Sequence, residues 1–197
     1  MSGYASFDNF HTTGTLIEIP CIDATPETLK GLGHIVKNFE DCPVMFKDMT
    51  DSVNGLPLII PRKEAVGNFE VWQKDGYSYA ENHAVGSGLY TVAKVDEKDL
   101  YKFYIREVNY HPETSQVVFP VEKSPFILVL GTQTDKLKAF VFDGSCGFSI
   151  SPRVWHQPPI LHYYGNLTFQ NKQAESHICV LHDSVKSSNV WYTFSYA

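Results

Sequence analysis

Short runs of β-branched and aromatic residues, broken by turn formers, dominate the chain from the segment LPLII onward. They continue as FEVW (69–72), GLYTVAK (88–94), YKFYIREV (101–108), SQVVFPV (115–121), FILVLG (126–131), LKAFVF (137–142), HICVL (177–181) and VWYTFSY (190–196). Several alternate with a period of two: Tyr101, Phe103 and Ile105 stand against Lys102, Tyr104 and Arg106, the pattern of a strand with one packed and one polar face. Leu16 to Ile19, closed by Pro20, predicts an earlier strand. One segment breaks the pattern. Thr25 is a suitable N-cap, Pro26 suits the first helical position, and Leu29, Leu32, Ile35 and Val36 recur at helical spacing, which predicts a helix near 25–36. The region 49–76 reads as loop-rich.

Close-set strands without intervening helices exclude βαβ architecture and predict an all-β fold with a short N-terminal helix, an antiparallel sandwich or barrel. With 197 residues and no Pro-, Gly- or Ser-rich linker, the whole chain, 1–197, is expected to form a single domain. The longest apolar runs fall far short of the ~20 residues of a membrane span.

Charge and cysteine usage narrow the function. Lys and Arg total 16 against 22 Asp and Glu, a net charge of −6, which repels a phosphate backbone and excludes nucleic acid as the expected partner. Cys21, Cys42, Cys146 and Cys179 are scattered without a CxxC pair, as in reduced thiols, and MSGYASFDNFHTTG has no signal-peptide pattern. A cytoplasmic location is the expectation.

Two segments gather groups capable of chemistry at strand ends: YHPETSQVVFP, Tyr110 to Pro120, and FDGSCGFSISPRVWHQPP, Phe142 to Pro159. In the first, Pro112 fixes His111 before a turn and Gln116 enters a strand. In the second, Gly144 and Gly147 permit a tight turn and Pro152 leads to Trp155 and His156. Isolated histidines at strand ends usually bond a backbone carbonyl, which is the expectation for His11, His34, His162, His177 and His182. Asp143 is expected to serve its turn and Cys146 to be an ordinary thiol.

The order His111-Pro112, Ser115-Gln116, Pro120, Phe126 to Leu130, Ala139-Phe140, Gly144 and Gly147, then Trp155-His156-Gln157-Pro158 resembles the ureidoglycolate lyase family of the cupin superfamily; ATPETLKGLGHIV (24–36) is similar to that family's opening helix. The resemblance implies a cupin-like antiparallel β-barrel, a homodimer, a site without metal or other cofactor, and the splitting of ureidoglycolate into glyoxylate and urea. Its implied partner is a small carboxylic acid. His111 and His156, with ordinary pKa values near neutrality, suit the acid and base, either way round, and Gln116 a hydrogen-bonding role. A carboxylate held by a protein of net charge −6 needs local positive charge, for which Arg106, Lys123 and Arg153 are candidates. Trp155, Glu81 and His83 complete the candidate substrate contacts. A non-catalytic binder of a small acid and a metal-dependent cupin enzyme, with Glu113 where a second ligand histidine would sit, are the alternatives.

Overall fold

The structure of the protein, a computed structural model, describes residues 14–47, 63–74, 77–84, 88–93 and 102–196. In chain order its strands are β1 (Thr15–Glu18), β2 (Cys21–Asp23), β3 (Gly33–Val36), β4 (Glu64–Lys74), β5 (Tyr77–Asn82), β6 (Leu89–Val92), β7 (Lys102–Ile105) and β8 (Glu107–Tyr110). They continue as β9 (Gln116–Pro120), β10 (Phe126–Gly131), β11 (Lys138–Phe142), β12 (Gly147–Ile150), β13 (Trp155–His156), β14 (Asn166–Ala174) and β15 (Val180–Asp183). The helix α1 (Ser184–Ser188) and strand β16 (Val190–Ser195) close the chain. The segment LPLII and Tyr101 lie outside the described residues.

The strands form three sheets, in the orders β1-β16-β7, β15-β8-β13-β10-β11-β2 and β3-β12-β9-β14-β4-β5-β6. Pairing is antiparallel except where β1 meets β16 and β2 meets β11. The all-β, cupin-like architecture predicted from the sequence is therefore present, as sheets packed face to face. Strand β10 shows why. Its run FILVLG is buried throughout: Phe126, Leu128 and Leu130 pack into a core shared with Phe69, Phe148 and Phe169 of the seven-stranded sheet, while Ile127 and Val129 meet Phe103, Ile105 and Phe194 of the three-stranded sheet. An uninterrupted apolar strand is what a layer covered on both sides requires. At about 25 cal/mol per Å² of apolar surface, each such side chain contributes on the order of 2 kcal/mol by burial.

The helix predicted near 25–36 does not form. Leu29 N–H bonds the Thr25 carbonyl at 3.0 Å and Leu32 N–H the Leu29 carbonyl at 3.0 Å, so the segment turns tightly at first. Gly31 then takes φ +82°, which ends any right-handed helix. Residues Gly33–Val36 extend instead and pair with β12. Leu29 and Leu32 still reach the core, and that shared burial made the spacing look helical. The one helix among the described residues is α1, with Asp183 as N-cap accepting from Val185 N–H and Lys186 N–H.

The loop-rich expectation for 49–76 also fails where it can be seen, since Glu64–Lys74 is an eleven-residue strand whose residues 64–72 pair with β14. Its Gly67 and Asn68 hid the alternation. No helix among the described residues is long and apolar enough to cross a membrane.

Candidate functional site

His111 follows β8 directly, and its Nδ1 lies 3.1 Å from the Ile178 carbonyl oxygen. The backbone N–H of Arg153, itself at φ 66°, donates to the His111 carbonyl at 2.8 Å and ties the two histidine segments together. Gln116 opens β9 in the seven-stranded sheet. His156 sits on β13, which bridges β10 and β8 in the six-stranded sheet, and its Nδ1 lies 2.9 Å from the Val154 carbonyl oxygen.

These three residues converge. They line one cavity of about 240 Å³ between the two larger sheets, with His177 and Cys179 entering from the β14–β15 connection. His156 Nε2 is 3.1 Å from Gln116 Oε1. The ring centres of His111 and His156 are 5.3 Å apart, and His177 stands edge-on to His111 at 4.3 Å. Asn109, Gln157 and Gln173 add amides to the wall, while Phe69, Val118 and Ile150 close its apolar side. The described lining contains no Lys, Arg, Asp or Glu, so the imidazoles are its groups able to carry positive charge.

Burial alters those imidazoles. His111 is held down to about 3, first by desolvation and then by repulsion from His156 and His177. His156 is held down to about 4, again mainly by desolvation. Both rings are neutral at pH 7, so each keeps a lone pair available as a base, unlike the near-neutral titration expected of unperturbed histidines. The carboxamide of Gln116 works in the opposite direction and favours the charged form of His111 as well as facing His156.

The remaining candidates lie elsewhere. Trp155 is adjacent to His156 on a strand and so points to the opposite face, where it meets Tyr110 edge-on at 4.5 Å and His182 at 5.9 Å. Arg106 is committed to Asp183, with Nε 3.0 Å from both carboxylate oxygens and a terminal nitrogen 2.7 Å from Oδ2. That pair raises the Arg106 pKa further. Lys123 and Arg153 are exposed and do not line the cavity. Glu81 and His83 flank the cavity residue Asn82 and, by strand alternation, face away; His83 Nε2 lies 3.7 Å from Glu81 and 3.8 Å from Glu70. Asp143 accepts from Ser145 N–H and Oγ–H within its turn, and the thiol of Cys146 is pushed up by burial.

Glu113 is not a cavity ligand either. It is buried, with one oxygen accepting the Ile178 N–H, and so props the loop that carries His177 and Cys179. Among the described residues, the one group of three His, Cys, Asp or Glu ligand atoms within 4.8 Å of one another is Glu70, Glu81 and His83 on the outer face. The cavity histidines are not gathered that closely.

The sequence missed Asn82, Asn109, Asn171 and Gln173, and took His177 as purely structural. His177 does bond a backbone carbonyl, with Nδ1 3.1 Å from Ala174 O, yet its ring also lines the cavity. Strand pairing was the signal that would have found the amides, because Asn171 and Gln173 lie on the same face of β14 as the core residues Leu167 and Phe169.

A face-to-face β fold with a buried, histidine-lined cavity between its sheets defines a cupin-like protein. The model of the ureidoglycolate lyase family matches residues 63–182, more than half of the chain, and the protein belongs to that family. No curated protein matches the chain.

Proposed function

We propose that the protein is a ureidoglycolate lyase, splitting ureidoglycolate into glyoxylate and urea by general acid/base elimination in the cavity between the two larger sheets. The substrate is a hemiaminal. One imidazole of the His111/His156 pair takes the hydroxyl proton, the O–H electrons become the new C=O bond, and the C–N bond breaks. The departing nitrogen receives a proton from the other ring, which has to enter the reaction as imidazolium with the substrate carboxylate stabilising its charge, and leaves as urea. One ring gains a proton and the other loses one, so the pair is returned by a single proton exchange. The observation that carries this reading is the meeting of His111, Gln116 and His156 at one cavity whose amides, Asn109, Gln157 and Gln173, match the donors and acceptors of a ureido group.

The test is incubation of the purified protein with ureidoglycolate and measurement of both products. Glyoxylate and urea are expected in equal amounts, with His111→Ala and His156→Ala each slowing release by roughly 100-fold or more while the fold is retained. Wild-type protein that releases neither product sinks the activity. Binding of a small acid by the amide N–H groups without turnover is the second reading, favoured by the low pKa of both rings, which leaves the cavity without an imidazolium to act as the acid at pH 7. The proposal also takes the protein as a cytoplasmic homodimer, the latter testable by sedimentation.

A further inference from the structure

The hydrogen bonds behind Gln116 run in one direction, and a backbone group that has no second orientation sets their sense. The Ala84 N–H donates to Asn82 Oδ1 at 3.0 Å. Asn82 must therefore present its oxygen there, and Asn171 Nδ2 donates to that same oxygen at 2.9 Å. Asn171 then turns its own oxygen to Gln116, whose Nε2 donates to it at 3.1 Å. Gln116 is left with its oxygen toward His156 Nε2, at 3.1 Å. The same carboxamide also favours charge on His111, but as the smallest of the influences on that ring, where burial and the neighbouring imidazoles oppose it.

His156 consequently faces an acceptor at each ring nitrogen, since the Val154 carbonyl beside Nδ1 can only accept. Neutral imidazole supplies one N–H and cannot satisfy both. Reversing Gln116 alone only moves the mismatch to Asn171, then to Asn82, and finally to Ala84 N–H, where donor would meet donor. Asn171 is fully buried, so water does not relieve a fault at that point. Neutral His156 therefore leaves either a fault inside the buried chain or a displaced N–H at half-buried Ala84, whereas imidazolium completes the chain as it stands.

We propose that Asn82 and Asn171 are positioning residues that act through Gln116 to make His156 the proton-bearing member of the His111/His156 pair, leaving His111 as the base. This rests on the acid/base reading of the cavity and divides its roles. The other titratable groups lining the cavity are His111, His177, Tyr90 and Cys179. Repulsion among the imidazoles keeps the pair to a single proton. A substrate carboxylate adds attraction that favours that proton further, and the Nε2 proton is the one that leaves the Gln116 oxygen for the departing nitrogen, since Nδ1–H stays on the Val154 carbonyl.

The experiment is an NMR titration of the ring signals of His111 and His156 in the intact protein, with the Gln116 side-chain amide followed in parallel. In the wild type, the Gln116 NH₂ protons are expected to show contacts to Asn171 and none to the His156 ring. Asn82→Leu removes the anchoring oxygen and is expected to lower the His156 midpoint by about one pH unit, a tenfold loss of proton affinity. Asn82→Asp keeps an acceptor for both Ala84 and Asn171 and is expected to restore the wild-type midpoint or exceed it. Asn171→Leu should match Asn82→Leu where it folds, and Asn82, half-buried at the cavity edge, supplies the decisive variant where it does not. A Gln116 NH₂ group facing His156, or a midpoint unmoved by Asn82→Leu, overturns the proposal. These readouts do not need turnover. A normal titration pattern without glyoxylate release would sink the reaction and leave the relay standing; release with an unmoved midpoint would do the reverse.

Discussion

Acidification should destabilise this protein steeply, and His111 and His156 set a magnitude that does not depend on fine detail. Their folded pKa values are lowered to about 3 and about 4 from the ordinary 6.5. Between those limits the unfolded chain binds protons that the folded chain refuses, so stability is full above pH 6.5 and falls as pH drops. At pH 5 the loss is governed by the unfolded value alone, because both folded values lie below 5. Each ring then forfeits 1.5 pH units at 1.36 kcal/mol per unit, about 2 kcal/mol, and the pair about 4 kcal/mol. That is a large part of the 5–15 kcal/mol that holds a typical domain together. Urea unfolding at pH 8 and pH 5 measures it. The midpoint should fall by roughly 2 M for a slope near 2 kcal/mol/M, and most of that fall should vanish in the His111→Gln/His156→Gln double variant. Each protein serves as its own reference, so the cost of the substitutions cancels, and His162, also lowered by burial, contributes equally to both. Equal losses between pH 8 and pH 5 in wild type and double variant would refute the reasoning.

Three further outcomes follow from single contacts. Lys172 is buried with Nζ 3.1 Å from the Phe39 carbonyl, 3.0 Å from the Cys42 carbonyl and 4.6 Å from the Phe39 ring centre. Lys172→Met strands both carbonyls, and should lower urea stability by about 1–3 kcal/mol and speed amide exchange across 37–47; an unchanged exchange pattern would deny the ammonium this bracing role. Arg106→Ala breaks a two-pronged pair with the largely buried Asp183 and should cost about 1–2 kcal/mol with KM and turnover unchanged; a raised KM would return Arg106 to the site. Gly144 adopts φ +84°, and a Cβ there would press on the Ser124 backbone, so Gly144→Ala should cost at least about 2 kcal/mol by thermal or urea unfolding, and a loss under 0.5 kcal/mol would show that the turn can relax.

What the sequence disclosed divides along physical lines. Strands buried on both faces, such as FILVLG, announce themselves because burial demands an unbroken apolar run, and the two histidine segments stand out because prolines and glycines punctuate them. Strand β14 did not, although it is a central strand of its sheet. Its sequence NLTFQNKQA turns polar in the second half, where Asn171, Lys172 and Gln173 are nevertheless buried, two of them because they serve the cavity and the amide chain behind it, the third because it braces the 37–47 segment. Alternation of apolar and polar residues identifies a strand only while its inner face is apolar. A polar cavity removes that signal at the very residues that build it. The false helix at 25–36 has the complementary cause: two leucines placed in the core by a turn look the same, residue by residue, as two leucines on a helix face.

The same blind spot explains the misplaced cations. Arg106, Lys123 and Arg153 sit close in sequence to the histidine segments, but proximity along a β chain does not place side chains together, because neighbours point to opposite faces. Arg106 spends its charge on Asp183, while Lys123 and Arg153 are exposed. The described wall offers an anion imidazoles and amide N–H groups, and among these only an imidazolium would carry positive charge. Desolvation opposes that charge, and the Gln116 oxygen, held in place through Asn171 and Asn82 by one backbone N–H, favours it. With His156 at about 4, charge at pH 7 is opposed by about 4 kcal/mol, which the substrate carboxylate has to supply. A permanent arginine would bind the acid at any pH but, by repulsion, would push the histidine pKa values lower still and so oppose the imidazolium that the proposed elimination uses as its acid.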